Sequence, residues 1–251
     1  MAESSITSAT MQTPPRLSVV VPAFDEESRL PGTLARITAF IEGTQRWRPA
    51  EVIVVDDGSR DRTAAVGERF GGGDGVEVRV CRLPVNRGKG AAVRTGLAAS
   101  QGEWVLISDA DLAAPIEDVD LLHAAGVDLA VGSRALRREL ISRRQPWARD
   151  LMGRGFNLML RGLGLTVLRD TQCGFKLLRG ELARTLSRSL RLEGFAFDVE
   201  LLARTRRLGG SIREVPVHWE HVDESRVQPV RHSLQMARDV LRLRLWLWLG
   251  Q

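Results

Sequence analysis

Two short apolar runs in this chain each lead straight into paired carboxylates. Val52-Ile53-Val54-Val55 ends in Asp56-Asp57, and Val105-Leu106-Ile107-Ser108 ends in Asp109-Ala110-Asp111. An aliphatic run without polar alternation is the pattern of a strand buried on both faces, which predicts a parallel sheet covered by helices. In such a sheet the ligand crevice lies outside the carboxyl ends of the strands, so both acidic knots should converge on one bound molecule. Carboxylates that close together need neutralising, and the pattern predicts a divalent cation with a polyphosphate or a nucleobase.

The surrounding sequence repeats the alternation. Residues 17–23, 52–55, 76–83 and 104–108 read as strands, and residues 28–42 (apolar at Leu30, Leu34, Ile37 and Ile41), 61–70 and 90–100 as helices. This β-α-β-α order predicts one α/β domain with a mostly parallel central sheet and helices on both faces. Beyond Asp111 the expected elements are a short helix from Pro115 to His123, a strand over 128–132, an arginine-rich helical stretch over 135–165 and a loop entering a strand over 169–178. A helix over 197–208, an alternating strand over 212–219 and a final helix over 232–249 complete the reading. At 251 residues and 43% hydrophobic content the chain can bury a full core. Residues 1–15, Ser/Thr-rich and closed by Pro14-Pro15, read as a disordered tail, residues 16–230 as the α/β domain and residues 231–251 as an amphipathic C-terminal helix.

Net charge is +5, with the basic excess after residue 133, which predicts an anionic partner: a phosphorylated substrate, an anionic lipid surface or nucleic acid. The carboxylates expected at the crevice, and the lack of a recognition motif, argue against nucleic acid. Cys81 and Cys173 have no CxxC spacing, so a reducing cytoplasm is expected. No apolar run is long enough to predict a membrane-spanning helix. On the final helix Arg238, Arg242 and Arg244 stand beside Trp246 and Trp248. That composition suits an interfacial helix on an anionic leaflet, at the cytoplasmic face, and equally a helix packed on its own domain or on a second subunit.

A DxD triplet alone is weak, since Asp118-Val119-Asp120 is another and reads as a solvated helix face. For Asp111, a metal ligand and a helix cap ahead of Pro115 are the two readings. Context separates them. The segments Val21-Pro22-Ala23-Phe24-Asp25-Glu26-Glu27, Val54-Val55-Asp56-Asp57-Gly58-Ser59-Arg60-Asp61, Asn86-Arg87-Gly88-Lys89-Gly90 and Ser108-Asp109-Ala110-Asp111-Leu112 together resemble the nucleotide-sugar domain of family 2 glycosyltransferases, with the inverting GT-A fold. Further along, Gly132-Ser133-Arg134, Asp170-Thr171-Gln172-Cys173-Gly174-Phe175-Lys176 and Phe195-Ala196-Phe197-Asp198-Val199-Glu200 resemble its dolichyl-phosphate β-glucosyltransferase and mannosyltransferase branch, the Asp-Thr-Gln-Cys-Gly-Phe-Lys run being most like the glucosyl members.

The resemblance implies roles. Pro22, Ala23 and Glu26 would hold the nucleoside, and Asp56 or Asp57 would accept the nucleobase N–H. Asp25 stands where the family usually has Asn. Lys89, at an expected helix start, would face the donor phosphates together with backbone N–H groups. Asp109 would reach the ribose or base side, and Asp111 would hold Mg or Mn, which bridges the diphosphate as a Lewis acid. Lys89 and Lys176 are the chain's only lysines; arginine is used everywhere else.

A sugar hydroxyl acceptor needs a general base, whereas a lipid monophosphate is already anionic and needs only to be gripped in line. Arg134 and Arg154 match positions that hold phosphate in the lipid-phosphate branch, and Asp170 belongs to the acceptor-side loop, either beside the sugar and acceptor or as a turn-former. Asp198 and Glu200 are second-tier candidates that equally suit helix caps. His218 and His221 fall on opposite faces of an alternating strand and are not expected to share a metal. Ser225-Arg226 resembles a loop that closes over donor phosphates. The expected activity is inverting transfer of glucose from UDP-glucose to a polyprenyl (dolichyl) phosphate, the alternatives being a GDP-mannose donor or a hydroxyl acceptor.

Overall fold

The computed structural model describes residues 13–143, 147–220 and 229–250. Strands β1 (Leu17–Ala23), β2 (Ala50–Asp56), β3 (Val76–Arg82), β4 (Trp104–Ile107) and β5 (Leu129–Ser133) alternate with helices α1 (Leu30–Glu42), α2 (Thr63–Arg69), α3 (Lys89–Ala99) and α4 (Val119–Ala124). Strand β6 (Ile141–Arg143) and helix α5 (Trp147–Gly162) follow, then β7 (Lys176–Arg179), α6 (Gly180–Ser189), α7 (Phe197–Arg207), β8 (Ile212–Pro216), β9 (Trp219–Glu220) and α8 (Pro229–Trp248). Seven strands form one sheet in the order β3-β2-β1-β4-β7-β5-β8, and β6 pairs with β9 in a second, two-stranded sheet.

The absence of polar alternation in the first strands has the reason expected. Val19 and Val21 of β1 pack with Leu34, Ile37 and Trp47 on one face, while Val20 packs with Ile53, Leu97 and Phe197 on the other. Each strand residue therefore meets a helical layer whichever way it points. The order of strands reverses between β1 and β4: β2 lies to one side of β1 and β4 to the other, both parallel to it. The carboxyl ends of β1, β2 and β4 thus frame a switch-point crevice. Strand β7 runs antiparallel to both β4 and β5, so the loop entering it at Lys176 arrives at that same edge.

The structure departs from the sequence reading in four places. The stretch 135–165 is not one helix; it contains β6 before α5. Helix α6 has no counterpart in the expected elements. The strand expected over 212–219 stops at Pro216, and Trp219–Glu220 turns away to pair with β6. Asp118 is not solvated: it is buried and accepts the His218 N–H at 2.6 Å and lies 3.0 Å from His218 Nδ1. A 3-10 turn over Ile116–Asp118 directs its carboxyl inward, a rotation that an i, i+2 acidic spacing does not reveal. The expected tail falls mostly on residues 1–12, which lie outside the described residues, as do His221, Ser225 and Arg226 and the side chain of Arg154.

Candidate active site

On the donor side, the loop after β1 is stitched to the loop after β2. Asp25 N–H donates to Ser59 Oγ (3.0 Å), Glu26 N–H to Thr63 Oγ1 (2.8 Å), and Asp25 Oδ1 accepts Arg60 N–H (2.8 Å). Asp25 has φ +53°, a left-handed conformation that Asp and Asn tolerate better than other L-residues, so the departure from Asn keeps the backbone geometry. Ala23 ends β1 opposite Asp56, with the half-buried Pro22 before it. The two carboxylates after β2 have different surroundings. Asp57 accepts the N–H groups of Arg87 (2.9 Å) and Gly88 (2.7 Å), one on each oxygen, and so fixes the loop that delivers Lys89. Burial pushes the Asp57 carboxyl above the usual range despite these bonds. Asp56 Oδ1 accepts only the local Ser59 N–H (3.0 Å), and Arg82 lies 3.7 Å from Oδ2.

Lys89 is the first residue of α3, as its position after Gly88 suggested, and Gly88 takes φ +108°. Two of the amides at this helix start are bonded within the protein. The Glu193 carbonyl accepts Gly90 N–H (2.7 Å) and Ala91 N–H (3.2 Å), which leaves the ammonium rather than those amides directed at the crevice. Lys89 Nζ lies 2.5 Å from Asp109 Oδ1. Burial opposes its charge, but Asp109 and Asp198 outweigh that and hold its pKa above the ordinary lysine value.

Asp111 caps no helix: Pro115 precedes the next turn, and Asp111 Oδ1 accepts Ala113 N–H (3.0 Å) within its own loop. The loop is pinned from behind by Thr33 Oγ1, which donates to the Ala110 carbonyl at 2.5 Å, and Leu112 adopts φ +46°, a strained conformation for leucine. Burial, followed by the charge of Asp109, raises the Asp111 carboxyl above the usual range, with Lys89 and Arg29 pulling the other way. A small recess opens beside Asp109, lined by Ala113, Cys173, Gly174, Phe175 and Trp219 among others.

The acceptor-side loop forms the opposite wall. Asp170 binds Arg134 through a two-point fork, Nε–Oδ2 2.7 Å and Nη2–Oδ1 2.8 Å, and also accepts the Arg134 N–H (3.1 Å) and the Gln172 N–H (3.2 Å). Burial alone would raise the Asp170 pKa; the Arg134 guanidinium overrides it and holds the carboxyl below the usual range. Asp170 is thus both a turn-former and the counter-ion of Arg134, and an ion-paired carboxylate of lowered pKa is a poor proton acceptor. The Arg134 guanidinium also lies 5.5 Å from the Trp219 ring centroid. Cys173 is buried, with its thiol pushed up to about 11 by that burial.

Asp198 is buried and lies 2.6 Å from the fully buried Lys176 Nζ. Glu200 accepts the N–H groups of Arg191 (2.9 Å) and Leu192 (2.7 Å) and the Arg204 Nε–H (2.8 Å), a bracing role that leaves it away from the crevice. Neither caps α7 through its side chain, since the cap residue is Ala196. Three contributors escaped the sequence reading. Glu214 accepts Asp170 N–H (2.7 Å) and Ser133 Oγ–H (2.6 Å), and Glu193 and Gly174 act through backbone position. Of these only Gly174 carried a signal, as a glycine inside a motif.

The profile of glycosyl transferase family 2 matches residues 18–186. The dolichyl-phosphate beta-glucosyltransferase of Homo sapiens is 41% identical over 244 residues, covering 92% of this chain and 75% of its own length. That of Drosophila melanogaster is 41% identical over 241 residues, covering 90% and 74%. Among solved structures, glucosyl-3-phosphoglycerate synthase from Mycobacterium tuberculosis, in complex with Mn2+, UDP and phosphoglyceric acid, superposes with a TM-score of 0.65 at 25% identity over 92% of this chain and 78% of that one.

Proposed function

The chain belongs to glycosyl transferase family 2, and from that premise we propose that it transfers glucose from UDP-glucose to a polyprenyl or dolichyl phosphate with inversion, giving a β-linked lipid-phosphate sugar. It is a glycosyltransferase by family, and its GT-A-like α/β fold puts the acidic strand ends at one crevice. The observation that carries the acceptor class is the state of the two carboxylates that a hydroxyl acceptor would need as a base. Asp170 is buried under Arg134 and Asp198 is buried against Lys176. A phosphate acceptor requires no base, because its oxygen is already anionic, and it requires cations at the mouth.

In this reading Asp56, which has no backbone N–H from the Lys89 loop on it, accepts the nucleobase imide, while Asp57 organises the phosphate-side loop. Pro22, Ala23 and Glu26 line the nucleoside side. Lys89 leaves Asp109 for the diphosphate, and Asp109 turns to the ribose side. Arg134 grips the acceptor phosphate. An acceptor phosphate oxygen attacks the sugar C1 from the face opposite the diphosphate, the C1–O bond to UDP breaks, and the bonding pair leaves with UDP.

A divalent cation fits the donor set. Asp109 and Asp111 offer hard oxygen ligands and a concentration of negative charge, opposed by Lys89 and at Asp111 also by Arg29, which suits Mg or Mn. Among the described residues no group of three or more His, Cys, Asp or Glu is assembled for a metal, so Asp111 would hold the ion together with donor phosphate oxygens. When bound, it supplies Lewis-acid stabilisation of the departing diphosphate.

We further read α8 as the peripheral membrane contact. Val240 and Leu243 are buried in the domain, so the helix packs on its own fold, yet Leu241, Leu245 and Trp248 form an exposed ridge at i, i+4 and i+7 with Arg238, Arg242 and Arg244 exposed nearby. Among the described residues no helix is long and apolar enough to cross a membrane.

The decisive experiment is turnover of UDP-glucose and GDP-mannose with a short polyprenyl phosphate and Mg or Mn. Lipid-linked glucose is expected; transfer only to a hydroxyl acceptor, or only from GDP-mannose, would overturn the reading.

A further inference from the structure

Asp198 acts on both of the chain's lysines. On one side Lys176 Nζ lies 2.6 Å from Asp198 Oδ1 and donates to the Cys173 carbonyl at 2.5 Å. On the other, the Asp198 charge acts on Lys89, whose ammonium lies 2.5 Å from Asp109 Oδ1 and 6.0 Å from the ring of Phe197, the residue preceding Asp198. Lys176 itself occupies the interior of the sheet, in register with Ile107 of β4 and Val131 of β5, and is wholly buried. A charged side chain in that place is unfavourable for folding unless paired, and apolar residues in place of the whole Lys176–Asp198 pair would serve stability as well or better. A chain that uses arginine elsewhere keeps lysine at these two positions, a compact ammonium in place of a planar guanidinium.

We propose that Lys176 is a positioning residue, the counter-charge that occupies Asp198 so that Asp198 does not capture Lys89. With Lys176 in place, Lys89 remains at the crevice, where it passes from Asp109 to the donor diphosphate. Without it, Lys89 is the next cation whose charge acts on the Asp198 carboxylate, and the two attract across the low-dielectric interior. The same ammonium holds the Cys173 carbonyl, and so the peptide before Gly174 on which Asp109 leans. This inference rests on the reading of Lys89 as a donor-phosphate ligand.

The test is UDP affinity, measured calorimetrically with Mn2+ present, in the full chain and three variants. Lys176→Met is expected to weaken UDP binding about tenfold or more. Asp198→Asn is expected to bind UDP within about threefold of the parent, and adding Asp198→Asn to Lys176→Met is expected to restore most of the lost affinity. A merely structural pair would also recover stability in the double variant, because the unpaired charge is removed, so affinity is read at a temperature where every variant is fully folded; there a structural lysine predicts parental UDP affinity in Lys176→Met. Unchanged UDP affinity in Lys176→Met, or a double variant no better than Lys176→Met, overturns the proposal. Should Lys176→Met not fold, Asp198→Asn decides: a large loss of UDP affinity there means that Asp198 supports Lys89 rather than competing for it. Parent protein that binds no UDP would instead overturn the donor reading itself.

Discussion

Gly174 and Asp109 are packed so closely that a Cβ on the glycine would lie 2.0 Å from Asp109 Oδ2. The acceptor-side loop and the acidic strand end therefore share a boundary with no room for a side chain. Gly174→Ala is expected to push the Asp109 carboxyl off Lys89 while the surrounding sheet stays intact. Displacement on this scale should lower kcat/KM by on the order of a hundredfold with a small change in melting temperature. Activity within twofold of the parent would mean that Asp109 has room to move.

Asp111 should report metal directly. Its raised pKa means that the folded chain holds a proton there more tightly than the unfolded chain does. Without metal, its ionisation therefore removes stability as pH rises from the unfolded value through the raised folded one. Asp111→Asn is expected to match or exceed the parent in metal-free thermal stability near neutral pH and to lose turnover. In the parent, Mn2+ at a hundred times its Kd should add about 2.7 kcal/mol, and in the variant almost none. An equal Mn2+ shift in both proteins would remove Asp111 from the metal site.

The Arg134–Asp170 pair predicts the opposite pH sign. Asp170 is held below the ordinary carboxylate value, so its contribution is present above that value and is lost as pH falls through the folded pKa. Asp170→Asn should destabilise the fold by about 3–5 kcal/mol at neutral pH, with a difference from the parent that shrinks on acidification. Urea unfolding at several pH values measures it, and a gap that does not narrow in acid would refute the assignment.

Arg134→Ala removes the partner of a buried carboxylate, so some stability loss accompanies it, and kinetics must separate the two effects. In folded protein the acceptor KM should rise more than the donor KM, and Arg134→Ala with Asp170→Asn should be more stable than Arg134→Ala alone. Weakened donor use with an unchanged acceptor KM would move Arg134 to the donor side.

For α8, vesicle sedimentation is the measurement. Vesicles rich in phosphatidylserine should bind the parent, and Leu245→Ser with Trp248→Ser should weaken binding at least about tenfold, since each buried apolar side chain contributes about 1.5–3 kcal/mol. Loss of the ridge that changes only the oligomeric state, with vesicle binding intact, would assign this face to a second copy.

Read as sequence, the chain determined its sheet and where its chemistry would sit. Unbroken apolar runs fix strands buried on both faces, and the switch-point rule then puts Asp56, Asp57, Asp109 and Asp111 at one edge; both follow from local periodicity and chain order. Tertiary structure alone decided which carboxylates are engaged and by what. Asp57 is taken by the Arg87 and Gly88 amides, Asp118 by His218, Asp170 by Arg134 and Asp198 by Lys176. These partners come from separate elements, and a carboxylate looks the same in sequence whether it meets water, a metal or a buried cation. Burial and the charge brought beside it set its protonation, and only the folded chain supplies those.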